Sequence, residues 1–240
     1  MNTLKTQSDN YFKKNWEIYQ KVLANNCMEH REIYGVLHKL LTDYLPAPFS
    51  LLELGCGDAS SSVQALLNTT VASYTGIDLS AAALEIAQGN MAQINCEQTF
   101  IQDDISKVVE ELAENRKQSF DIVTTSFVLH HLSLAQKDKV IEQVFHLLKP
   151  KGVFVLIDIV CKEGEDREKF VNRYLENMRQ NWTALSSQDM SMIENHISTY
   201  DFPETQTTLY QLAQKHNFVR FECLYKDTPE AAQFLCLTFQ

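Results

Sequence analysis

Leu51-Leu52-Glu53-Leu54-Gly55-Cys56-Gly57-Asp58-Ala59-Ser60 decides the fold: an apolar run of strand character enters a glycine turn and leaves it as a helix. Glycine is needed where φ is positive or where a ligand must approach the backbone without meeting a Cβ. Gly55 and Gly57 therefore mark the carboxyl end of this strand as a seat for a nucleoside-type ligand. Taken alone, the segment also admits the lesser reading of an ordinary strand-to-helix turn. Gly76-Ile77-Asp78-Leu79-Ser80 tells against that reading, because Asp78 ends the next strand 23 residues beyond Gly55, where a carboxylate can accept hydrogen bonds from both ribose hydroxyls. A mere helix cap at Asp78 would explain the spacing only by accident.

Outward from this turn, short β-rich runs alternate with longer helical ones, the pattern of a parallel sheet covered on both faces. Strands are expected over 49–54, 73–78, 97–102, 120–126 and 152–159, and helices over 60–67, 81–92, 106–115 and 134–148. Ser80 is placed to cap one helix, and Ser133 with Gln136 forms a capping box for another. Lys149-Pro150-Lys151-Gly152 reads as a turn that stops a helix and launches a strand. Before the sheet, residues 11–44 carry two amphipathic helices, the second starting near Met28 with Ile33, Leu37, Leu40 and Leu41 at helical spacing and ended by Pro46 and Pro48. After Ile159 the rhythm breaks, and 164–200 reads as two polar helices that carry Tyr174, Met178 and Trp182, the look of an inserted lid. A helix over 205–216 and two strands, 218–225 and 231–239, paired antiparallel across a 226–230 turn, close the chain.

At 240 residues with 45% hydrophobic content the chain can build one large core, so a single domain is expected: a helical cap over 1–45, a ligand-binding core over 49–160, a lid insertion over 160–204 and a closing unit over 205–240. A formal charge of −10 disfavours a phosphate-binding surface, and no nucleic-acid partner is expected. Cys27, Cys56, Cys96, Cys161, Cys223 and Cys236 show neither close pairing nor zinc-type spacing and read as reduced thiols. The polar 1–11 stretch lacks a signal-peptide core and no run approaches a membrane span, so a cytoplasmic protein without membrane contact is expected, as a monomer or homodimer.

The turn itself discriminates between nucleotide ligands. Gly55-x-Gly57-x-x-Ser60 lacks the third glycine of a dinucleotide fingerprint, and the carboxylates of Glu53 and Asp58 would repel a pyrophosphate but suit a cationic sulfonium and ammonium. Glu53-Leu54-Gly55-Cys56-Gly57 resembles the first motif of class I S-adenosylmethionine-dependent methyltransferases, and Asp78 the acidic end of their second strand. Gln102-Asp103-Asp104-Ile105 is similar to their third-strand motif, Phe120-Asp121-Ile122-Val123 through His130-His131-Leu132 to their fourth strand and loop, and Leu147-Leu148-Lys149-Pro150-Lys151-Gly152 to the turn before their fifth. The resemblance runs in order over 49–160. It implies an α/β, doubly wound, seven-stranded, mostly parallel Rossmann-like sheet with N-terminal helices and a helical lid, binding S-adenosylmethionine and passing its methyl group to a small-molecule acceptor. It also implies that Glu53, Gly55, Cys56 and Gly57 lie at the methionine part, Asp78 and Leu79 at the ribose, Asp103 or Asp104 with Ile105 at the adenine, and Ser126 and Phe127 at the amino end.

Methyl transfer needs alignment and, for a protonated acceptor, a base. The candidate catalytic residues are His130 in the loop after strand four, Asp158 near the end of strand five, and Tyr19 and His30 on the N-terminal helices. His131 is expected to point away into packing. Trp16, Tyr34, Tyr174 and Trp182 are candidate aromatic walls, each equally readable as core. Convergence of Asp158 and His130 on a metal is a further reading, but no paired carboxylate motif supports it and no metal is expected. Two rivals stand beside methyl transfer: a non-catalytic adenosylmethionine-binding accessory protein, and an NAD-dependent oxidoreductase.

Overall fold

The computed structural model describes residues 16–45 and 47–239. The polar stretch over 1–11, the start of the first predicted helix, Pro46 and Gln240 lie outside the described residues. Two helices precede the sheet, α1 over 16–24 and α2 (His30–Asp43), which buries Ile33, Leu37 and Leu41 on one face. The alternation follows as β1 (Phe49–Leu54), α3 (Ser60–Leu66), β2 (Val71–Asp78), α4 (Ala81–Met91), β3 (Glu97–Gln102), α5 (Ile105–Asn115), β4 (Phe120–Ser126), α6 (Leu134–Leu147) and β5 (Leu148–Cys161). Then come α7 (Arg167–Asn181), α8 (Ser187–Tyr200), β6 (Glu204–Thr205), α9 (Gln206–Lys215), β7 (Arg220–Lys226) and β8 (Ala232–Thr238).

The strands lie in the order β3-β2-β1-β4-β5-β8-β7, with β8 antiparallel to both β5 and β7. The sheet has eight strands rather than seven, because β6 adds two residues beside Val160 and Cys161. β5 runs beyond its last ladder partners in β4 and β8, which are opposite Ile157 and Ile159, and the returning chain pairs with that overhang. At its other end β5 begins at Leu148, so Lys149-Pro150-Lys151-Gly152 is an irregularity within a strand, not a turn before one. Lys151 takes a φ of +66° there, and a Cβ on Gly152 would lie 2.8 Å from the Lys149 carbonyl oxygen.

Alternation along the strands fills two layers. Leu51, Ile122, Val155 and Ile157 face α2, α3 and α4, while Leu52, Leu54, Val123 and Leu156 face α5, α6 and α9. The caps fall where the sequence puts them: Ser80 Oγ accepts from Ala83 N–H, and Ser133 with Gln136 forms the reciprocal capping box. The 160–204 insertion has an apolar cluster of its own, in which Phe170, Tyr174, Met178 and Trp182 pack with Ile159 of β5 and Val22 of α1. Phe170 is fully buried, and cutting it to alanine would cost about 3–5 kcal/mol. The insertion and α1 are thus packed together at the carboxyl end of β5, in a sheet whose strand order reverses between β1 and β4.

Candidate active site

A cleft of about 300 Å³ opens at the carboxyl ends of β1, β2 and β4. Glu53, Gly55, Cys56, Gly57, Asp78, Leu79, Ile105, Ser126 and Phe127 line it, as do Tyr34, Asp58 and Ser62. Gly55 has φ +76°, and a Cβ there would come within 2.3 Å of Val128 Cγ2, so no other residue fits. Ala59 and Phe127 also have positive φ, at 55° each; non-glycine residues held so are strained, and both border the cleft. Asp78 holds the cleft's floor: its Oδ2 accepts from Gly57 N–H at 2.8 Å and its Oδ1 from Ser80 N–H at 2.9 Å.

Three carboxylates face this cleft, and among the described residues none has a Lys or Arg within salt-bridge distance. Glu53 is buried and accepts from Ser62 Oγ–H at 2.6 Å and Tyr74 O–H at 2.5 Å. Burial pushes its pKa up to about 7 despite those bonds, with Asp78 and Asp58 adding to the rise. Ser126 Oγ is buried and has no hydrogen-bond partner among the described residues. A cationic, hydroxyl-bearing ligand would meet each of these needs, supplying positive charge for the carboxylates and hydrogen bonds for the free oxygens. S-adenosylmethionine has that chemistry.

A second cavity, of about 280 Å³, lies under the 160–204 insertion and shares Tyr19, Phe127 and His131 with the cleft. Its walls are chiefly apolar and aromatic, with Met28, Ile159, Tyr174, Trp182 and Ile193 among them. Its polar side is a cluster of His130, His131, His196 and Asp201. Asp158 fixes His130 twice, accepting from its backbone N–H at 2.9 Å and pairing closely with ring Nδ1. Burial alone would lower the His130 pKa, but the Asp158 carboxylate and then Asp201 outweigh it, and the pKa is raised. Asp201 Oδ1 is buried and makes no hydrogen bond among the described residues. Around it stand His131 Nδ1 at 3.3 Å, His196 Nε2 at 3.6 Å and His130 Nε2 at 3.7 Å.

The structure thus brings His130 and Asp158 together, with His130 in the cavity wall. Tyr19 sits where the two cavities meet, with a pKa raised by its packed surroundings and by Asp58, Glu53 and Asp78, so it is a neutral phenol rather than a base. His30 lines neither cavity; it packs against Phe127 at 5.1 Å between ring centroids, and burial lowers its pKa to about 4. Asp103 and Asp104 stand beside the cleft rather than in its lining, with Asp104 capping α5 through Ser106 and Asp103 accepting from the Asp104 N–H. Tyr34 borders the cleft, whereas Tyr174 and Trp182 are both cavity wall and core. Trp16 packs on Tyr19 at 6.0 Å.

His131 does not point away. Leu129–His131 form a single 3-10 turn that sets the two imidazoles 4.0 Å apart by centroid, and His131 reaches both cavities. Sequence reasoning also passed over Asp201 and His196. The spacing of four between His196 and Tyr200 on α8 was the one signal available for the latter.

A family model described as a methyltransferase domain matches residues 48–218, most of the chain. An uncharacterized methyltransferase from Synechocystis sp. is 34% identical over 109 residues, which are 45% of this chain and 46% of that protein. The chain thus matches about half the length of that relative. A carboxy-S-adenosyl-L-methionine synthase from Yersinia enterocolitica is 22% identical over 86% of this chain and 78% of its own. A crystal structure of a protein from Pyrococcus horikoshii shares the fold, with TM-score 0.61, 19% identity and coverage of 90% of this chain and 93% of that one. No helix among the described residues is long and apolar enough to cross a membrane. The ordered motifs, the carboxylate-lined cleft and the family match agree: this chain belongs to the methyltransferase domain family of class I, S-adenosylmethionine-dependent enzymes.

Proposed function

We propose that the chain methylates a small, largely apolar molecule seated under the 160–204 insertion, at an O, N, S or C atom turned toward the imidazole cluster. The observation that carries this reading is the shared wall: Tyr19, Phe127 and His131 border both the cleft and the second cavity. A donor bound by the cleft would therefore present its reactive end to an acceptor held in the cavity.

S-adenosylmethionine supplies a methyl group made electrophilic by a positive sulfur. Glu53, Asp58 and Asp78 hold the positive charge and the ribose, and the Gly55 turn lets the ligand reach the backbone. Apolar walls from α1, α7 and α8 exclude water and align the acceptor. Asp158 holds His130 with Nε2 toward Asp201, and this group receives the acceptor's reactive end and draws off its proton. Tyr19, as a neutral phenol, donates a hydrogen bond at the boundary.

The Yersinia relative is named for synthesis of a carboxylated adenosylmethionine. A carboxylate in this cavity would face Asp201, and no Lys or Arg is among the lining residues, which favours a neutral or cationic acceptor instead. Six free thiols support a reducing, cytoplasmic setting.

The test is transfer of labelled methyl from S-adenosylmethionine to a panel of neutral phenols, amines and thiols, with anionic analogues alongside. Label in a neutral or cationic small molecule is the expected result. Cofactor binding without transfer to any acceptor would favour the non-catalytic accessory protein.

A further inference from the structure

We propose that His130 Nε2, His131 Nδ1 and Asp201 Oδ1 bind a divalent transition-metal ion of the zinc type, with its fourth position open to the acceptor cavity. The proposal rests on the reading of that cavity as the acceptor's seat and says how the acceptor is received there. One ligand atom from each of these residues lies within 4.8 Å of the other two, and His131 Nδ1, 3.4 Å from the Tyr200 carbonyl oxygen, would give up that contact on binding the ion.

The first argument is the unsatisfied carboxylate. Asp201 has a side chain only 5% exposed, yet Oδ1 has no donor among the described residues. A buried carboxylate oxygen without a partner is costly, and a cation is what it lacks. The nearest cations are committed elsewhere. Arg167 donates to the backbone carbonyls of Asp201, Ile197 and Ser198, and Lys137 to Phe202 O and Glu204.

The second argument is orientation. Asp158 accepts from His130 at Nδ1, which turns Nε2 toward the Asp201 oxygen at 3.7 Å, so that an ion displacing the Nε2 proton would lie between the two. A carboxylate behind a metal-binding imidazole fixes its tautomer and orientation, and Asp158 stands in that place.

The third is size. Metal–nitrogen and metal–oxygen bonds of about 2.0–2.1 Å in a tetrahedron put neighbouring ligand atoms about 3.3–3.4 Å apart. His131 Nδ1 and His130 Nε2 lie 3.3 and 3.7 Å from Asp201 Oδ1, so the cluster needs little movement to close on an ion. Two imidazoles and one carboxylate with an open corner are the ligand set of a catalytic rather than a structural zinc site. His196 Nε2 lies 3.6 Å from the same oxygen and lines the cavity. With the ion bound, His130 Nε2 would be a ligand rather than the base, and the ion would instead lower the pKa of an acceptor hydroxyl or thiol at the open position, so that its proton passes to solvent.

The experiment is titration of chelator-stripped, full-length protein with Co²⁺, followed by visible absorption, with Zn²⁺ as competitor and adenosylmethionine binding measured calorimetrically on the same samples. One equivalent of Co²⁺ giving the intense d–d band of tetrahedral coordination, displaced by Zn²⁺, is expected. Asp201→Asn and His131→Gln should each weaken binding more than tenfold, and Asp158→Asn about 10–100-fold. His216→Gln, far from the cluster, should leave the band intact, and unchanged melting temperatures show that the variants fold. No band, or a band that survives in Asp201→Asn and His131→Gln, overturns the metal site. Adenosylmethionine binding in those same samples then shows that the methyltransferase reading stands, whereas its loss throughout would strike that reading and not the ion.

Discussion

The two ends of the sheet treat carboxylates in opposite ways. At the amino edge Asp121 is paired with a cation: its Oδ2 accepts from Lys149 Nζ–H at 2.7 Å and from the Ser50 backbone and hydroxyl, and these bonds hold its pKa below the usual value against the effect of burial. At the carboxyl edge Glu53, Asp58, Asp78, Asp158 and Asp201 gather without one Lys or Arg in salt-bridge range among the described residues. Glu53 keeps its proton to about pH 7, and Asp201 keeps an empty oxygen. One end is satisfied by the chain itself and serves stability. The other is left short of positive charge, and that deficit is where a cationic donor and an ion fit.

The contrast can be broken most sharply at the acceptor side. His130→Gln or Asp158→Asn should lower kcat by about 10²–10⁴ with whichever acceptor the methyl-transfer panel returns, while leaving the dissociation constant for adenosylmethionine unchanged. Loss of donor binding in either variant would mean that the two cavities do not divide the work as described.

Next in size is Asp78→Ala, which removes an acceptor that holds the Gly57 turn and lines the cleft where we propose the ribose sits. A loss of donor affinity of about 100-fold is expected by calorimetry. Wild-type affinity would move the ribose elsewhere in the cleft.

Glu53 gives a smaller effect with a definite sign. Its pKa in the ligand-free fold, about 7, lies above the ordinary 4.5, so its bound proton contributes stability that is complete below 4.5 and lost as pH rises through 7. A cationic ligand prefers the ionised carboxylate. Donor affinity should therefore rise about tenfold between about pH 6 and pH 8, with proton release seen as a buffer-dependent enthalpy. Glu53→Gln should flatten both profiles, and affinity that falls with pH would contradict the charge argument.

The smallest effect belongs to the other edge. Asp121→Asn should cost about 1 kcal/mol of stability, since Lys149 is partly exposed, and leave donor affinity untouched. Chemical denaturation beside calorimetry checks both halves, and a cleft that weakened along with the fold would erase the distinction between the edges.

Local chemistry made much of the fold legible. The Gly55 turn, the Ser80 cap and the Ser133 box are each decided within a few residues, and each stands where the sequence puts it. The eighth strand was hidden because two residues, Glu204 and Thr205, carry no period to detect. His131 was misplaced for a geometric reason. Adjacent residues diverge on a strand, but the 3-10 turn at Leu129–His131 swings both rings toward the cavity. Asp201 lies 71 residues beyond His130 and meets it only because the insertion folds back across the edge, so no local pattern announces it. His30 is the converse case: a histidine at helical spacing that the packing leaves behind Phe127, outside both cavities.

The most direct test of the charge-deficient edge is a calorimetric titration of wild-type and Asp78→Ala protein with S-adenosylmethionine, and with NADH in parallel. One-to-one binding of adenosylmethionine that is lost in the variant, with no NADH binding, is the result predicted. Binding of NADH, or adenosylmethionine affinity indifferent to Asp78, would contradict it.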